Sequence, residues 1–97
     1  MSSQPIEPWR VSATTNATQL AGAIAKSVRD SEPCILLQAV GAGAVNQTIK
    51  SIAIARTFLA QDDVGLDLIT TPEFTEVRMG NAERTAILFT VDIVMRA

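Results

Sequence analysis

Ile87, Phe89, Val91, Ile93 and Met95 take every second position near the end of the chain, opposed by Thr90 and Asp92. A period of two sustained over that length is a β-strand with one buried face, because successive side chains leave opposite sides of the backbone. Such a strand needs neighbours for its backbone groups and a second layer over its apolar face. Gly80-Asn81 upstream reads as a two-residue hairpin turn, so the preceding run pairs with it antiparallel. In that run Leu66 and Leu68 alternate with Asp67 and Ile69, and Pro72 interrupts. The pattern resumes out of phase at Phe74, Val77 and Met79, which a bulge near Thr71-Pro72 would explain.

The covering layer comes from two helical patterns. Leu20, Ile24 and Val28 recur every four residues beside Ala17 and Ala21, after an Asn16…Gln19 capping-box pair. Lys26 and Arg29 suit the negative pole of that helix, and Pro33 stops it. Val45, Ile49, Ile52 and Leu59 form an apolar line on a second helix, with Ile54 and Phe58 as another line partly on its other side. Two lines exceed what one sheet covers, which points to a second copy of the chain as packing partner. Trp9 to Ser12 is a short first strand, and the apolar run Cys34 to Val40 is a central one. The expected fold is α+β, a two-layer α/β sandwich in β-α-β-α-β-β order. Residues 1–8, with Pro5 and Pro8, read as a flexible tail, and 9–97 as a single domain.

Residue types narrow the chemistry. The 97 residues hold no histidine, no tyrosine and one cysteine, Cys34. Without histidine the commonest proton shuttle and metal ligand is missing, and one thiol builds neither a zinc site nor an internal disulfide. No apolar run approaches the roughly 20 residues of a membrane helix. Met1 to Trp9 lacks a secretory pattern. The expectation is a cytoplasmic binding protein, not an enzyme, with no cofactor and no metal. Glu73 and Glu76 resemble paired carboxylates but have no nucleophile to serve.

Three features could bind. Gly41 and Gly43 flank the entry to the second helix, where free N–H groups attract anions. The fingerprints of dinucleotide and P-loop sites are incomplete there, so the glycines serve a tight turn and close packing, or one backbone phosphate of a polymer. Asn46 and Lys50 share a helix face beside Gln47, a set able to meet phosphate and base edges or simply water. Arg78 and Arg84 flank the hairpin turn, where they could follow a nucleic-acid groove or discourage stray strand pairing. Between Arg56 and Arg78 every charge is negative, so that edge is expected to face away from any nucleic acid.

Val11-Ser12-Ala13, Leu20 to Ile24, Gln38 to Gln47, Lys50 to Arg56 and Glu83 to Ile87 resemble, in register, the bacterial stage V sporulation protein S family. That family is regarded as similar to Alba, a small dimeric archaeal chromatin protein of the same element order. The resemblance implies an Alba-like fold, a homodimer or larger homo-oligomer, contact with DNA or RNA, and a role in sporulation or development. Carried residue by residue, it leaves Arg78, Arg84, Asn46 and Gln47 with comparable chemistry, whereas Thr14-Thr15 and Ala42-Gly43 replace Alba-like basic residues. The alternative is a self-associating scaffold that recruits a protein partner and no nucleic acid. An anion sensor at the Gly41 turn comes third, and an enzyme last.

Overall fold

The computed structural model describes residues 7–96, so most of the expected N-terminal tail lies outside the described residues. Six elements follow in order: β1 (Trp9–Val11), α1 (Ala17–Arg29), β2 (Cys34–Ala39), α2 (Ala42–Gln61), β3 (Leu66–Met79) and β4 (Ala82–Met95). The strands form one sheet in the order β1-β2-β4-β3. β1 runs parallel to β2, and the other pairings are antiparallel. Ile35, Leu37 and Ala39 of β2 and Phe89 and Val91 of β4 are buried on the face that the two helices cover. Among the described residues no helix covers the other face.

Local chemistry accounts for the helix ends. The Asn16 side chain accepts from the Gln19 N–H at 3.0 Å, satisfying one unpaired donor of α1. At the other end Glu32 N donates to Ser27 O and Ser31 N to Val28 O, a Schellman closure. Ser31 holds the left-handed conformation there, φ 66°, where glycine is usual. α2 starts differently. Gly41, φ 89°, precedes it without a side-chain cap, and Gly43 already lies inside its first turn.

The two helices meet through small residues. Ala21 and Ala25 of α1 and Ala44, Thr48, Ser51 and Ala55 of α2 are all buried. Thr48 and Ser51 are accommodated because their hydroxyls donate to Ala44 O and Gln47 O at 2.8 and 2.7 Å. Ile54 and Phe58, expected to face a second copy, pack against the chain's own core.

The bulge expected at Thr71-Pro72 is absent. Pairing of β3 with β4 runs unbroken from Leu66–Met95 to Met79–Ala82, with Pro72 opposite Phe89. β3 is an edge strand, where a residue without an N–H is tolerated. Phe74 keeps the phase of Leu66 and Leu68, while Val77 and Met79 lie on the opposite face. Beyond Ile87 the β3–β4 hairpin outruns β2 and forms an arm, so no single buried face enforces a period there.

Bidentate ion pairs tie the end of the molecule opposite the arm. Arg29 donates to Asp62 at 2.8 and 3.0 Å, joining the C-terminal ends of the helices. Arg56 donates to Asp67 at the same distances, and Arg96 approaches Asp67 to 3.7 Å. Hydrogen bonds from Arg56 and from the Leu68 N–H hold the Asp67 carboxyl well below the usual carboxylate range, against an opposing effect of burial. A depressed acid contributes stability above its unfolded pKa, about 3.9, that is lost as pH falls through the folded value. Urea midpoints should therefore drop as pH falls below about 4, and Asp67→Asn should shrink that drop. An acid limb as steep in the variant as in the wild type would exclude Asp67 as a source.

Candidate functional site

Because β1 and β2 are parallel, their C-terminal ends lie together, and each leads into a helix. The β1–α1 loop, the start of α2 and the root of the arm thus share one end of the sheet. The topology brings Gly41, Gly43, Asn46 and Gln47 to that end, with Arg78 and Arg84 on the arm. Lys50 sits about 12 Å along α2 from its start, at 1.5 Å per residue.

Several of these residues also hold the structure. A Cβ on Gly43 would lie 2.8 Å from Ala13 Cβ, so only glycine lets α2 approach the β1–α1 loop this closely. The Gln47 amide donates to Thr15 O at 2.8 Å, pinning the same loop to α2. Asn46 donates to Gln47 Oε1 at 3.4 Å and stays exposed. The loop closes on itself where Thr15 Oγ1 accepts from Ser12 N at 2.8 Å.

The cations sort into engaged and free. Lys26, Arg29, Arg56 and Arg96 are paired with Asp30, Asp62 and Asp67. Arg78 makes a loose cross-strand pair with Glu83 at 3.5 Å, both largely in water. Among the described residues no ion pair engages Arg10, Lys50 or Arg84. Arg10 is the residue that sequence reasoning missed. Its signal was the apolar-polar-apolar order of Trp9-Arg10-Val11, which puts it on the face opposite buried Val11.

The carboxylates divide less cleanly than expected. Asp30, Glu32, Asp62, Asp63, Asp67 and Asp92 lie at or near the end away from the arm. Glu73 and Glu76 belong to β3 where it becomes the arm, so the acidic stretch does not all face away. Glu76 accepts from Thr85 across the hairpin at 3.2 Å. No group of three or more potential metal ligands occurs among the described residues. No helix there is long and apolar enough to cross a membrane.

A second surface runs along the side. Ile49 of α2 is 54% exposed and Ile69 of β3 57%, while Phe74, on the opposite face of β3 from Ile69, is 80% exposed. Ile49, Ile52 and Ile69 help line a cavity of about 390 Å³ between α2 and β3. The exposed apolar residues are thus not the surplus read from the sequence, since Ile54 and Phe58 pack into the core and the exposed ones here are Ile49 and residues of the edge strand.

A search of solved structures finds the same architecture in Alba from Thermoplasma volcanium, at 12% sequence identity and a TM-score of 0.54. The similarity covers 87% of this chain and 99% of that one. At that identity the likeness speaks for the fold, which is Alba-like. The family model described as stage V sporulation protein S matches residues 7–94, from the entry to β1 almost to the end of β4. The strand order, the two helices and that match agree: the chain belongs to the stage V sporulation protein S family, a family linked to sporulation.

Proposed function

We propose that this protein is a non-enzymatic nucleic-acid-binding regulator that acts as a dimer in the cytoplasm. The observation that carries the reading is the set of free cations: Arg10, Lys50 and Arg84 lack ion-pair partners among the described residues. A cation held by a carboxylate must lose that partner to meet a phosphate, whereas a free one exchanges only water and counterions. The start of α2 adds unpaired backbone N–H groups beside Asn46. The resemblance to Alba supports the same ligand class. With few contacts, affinity is modest and salt-sensitive.

The test is a low-salt titration of DNA and RNA against single variants. Arg84→Ala should weaken binding about tenfold, the order expected for one charge-assisted contact. Arg56→Ala should change it less than about twofold, since Asp67 already holds that guanidinium. Equal effects of the two variants would contradict this reading.

Exposed Ile49 and Ile69, which line one cavity between α2 and β3, favour a second reading, an adaptor whose apolar side receives another protein. In that case nucleic-acid affinity is absent at any salt concentration, and partners survive nuclease treatment.

A further inference from the structure

The sheet face without helices holds a cavity apart from the start of α2. Arg10 and Gln38 are register partners on this face, since their neighbours Val11, Leu37 and Ala39 are buried on the other. Val77 and Met79 belong to the same face of β3 by register with β4. In a flat sheet of this strand order, β3 would lie about 14 Å from β1, three strand spacings away. Nevertheless Arg10, Ser12, Gln38, Val40, Val77 and Met79 line one cavity of about 200 Å³. The arm therefore curls over the bare face, as strongly twisted two-stranded ribbons do.

Val40, Val77 and Met79 give the cavity apolar walls. Its polar residues are Arg10, Gln38, Ser12, whose hydroxyl is already engaged with Thr14 and Thr15, and Arg78, which holds its loose pair with Glu83. Arg84 stands opposite Val77 on the same face of the arm, and it too has no ion pair among the described residues. Glu73 shares this face, two strands over from Gln38. The volume is below the roughly 300–1,000 Å³ of whole-ligand pockets and suits one flat ring.

We propose that this cavity is a slot for a single nucleoside phosphate. The base lies against Val77, Met79 and Val40, the Gln38 amide meets donors and acceptors on its edge, and Arg10 and Arg84 flank the phosphate. A base inside a duplex is stacked and paired and does not enter. The occupant is a free mononucleotide or an unpaired nucleotide of a strand. Only the second source rests on the nucleic-acid function proposed above.

The full chain is titrated with adenosine and uridine monophosphate, with a short single strand, and with its duplex. Arg10→Ala and Met79→Ala are compared with the wild type, both at exposed positions. Single strand should bind about tenfold more tightly than duplex, the effect of one stacked base, and both variants should erase that preference. Met79→Ala should leave duplex affinity unchanged. Equal binding of strand and duplex, with Met79→Ala silent on every probe, overturns the slot while nucleic-acid binding stands. If neither polymer binds, the proposed function fails and the monophosphates decide. Saturable binding weakened by both variants then supports a free-nucleotide slot, and its absence removes the slot as well.

Discussion

Phe89→Ala is expected to remove about 3–5 kcal/mol of folding stability, the usual cost of emptying a buried aromatic site. Phe89 is 3% exposed, on the central strand β4, between Leu37 of β2 and Pro72 of β3. Its ring belongs to the core cluster beneath the helices. α2 meets that core partly through Ala44, Thr48, Ser51 and Ala55, whose short side chains reach little distance and leave a void hard to close. A domain of this size holds only about 5–15 kcal/mol in total. The variant should melt more than about 10 °C lower and show a reduced urea midpoint with an unchanged slope. Thr90→Ala, one residue on and turned to the bare face, should cost a small fraction of this. Comparable losses at the two positions would mean that the helices do not cover the face assigned to them.

The second large effect concerns assembly. Phe74→Asp should turn the proposed dimer into a monomer. Phe74 is 80% exposed within one chain, so its removal costs the protomer little. In a two-fold interface each substitution occurs twice. If each aromatic anchor is worth about 2 kcal/mol, the pair weakens association nearly a thousandfold. Sedimentation over a range of concentrations reads this directly, with circular dichroism confirming that the fold persists. A wild type that stays monomeric throughout would remove the dimer from the account, and a variant that associates as well as the wild type would remove Phe74 from its interface.

The fold was legible where one local rule governed. The stop before Pro33, the Gly80-Asn81 turn and the alternation of β4 each depend on a few adjacent residues and appear as expected, and of the Asn16…Gln19 capping box the Asn16 half forms. Misreadings arose where distant residues decide. Thr48 and Ser51 look like surface residues until their backbone hydrogen bonds hide the hydroxyls, so the α1–α2 seam was invisible and Ile54 and Phe58 looked surplus. Pro72 suggested a bulge because nothing local marks β3 as an edge strand. Gly43 reads as serving a tight turn and close packing, and it does pack closely, but its neighbour, Ala13 in a loop thirty residues earlier, could not be named from local sequence.

The candidate site followed the same division. Helix-start residues and hairpin arginines could be named from spacing. Which cations remain free could not, because Arg29 meets its carboxylate 33 residues away and Arg56 meets its own 11 residues away. Arg10, on a strand of three residues, was passed over although its local alternation marked its face. Four of the acids are paired with the chain's own cations, so Arg10, Lys50 and Arg84 stay free of ion pairs among the described residues although the net charge is −2.

The salt dependence of duplex DNA affinity counts those free cations directly. Three free cations, each releasing about 0.9 counterion, predict a log–log slope near −2.7 for each protomer engaged. A flat dependence, or no binding even at the lowest ionic strength, would contradict a nucleic-acid role for this protein.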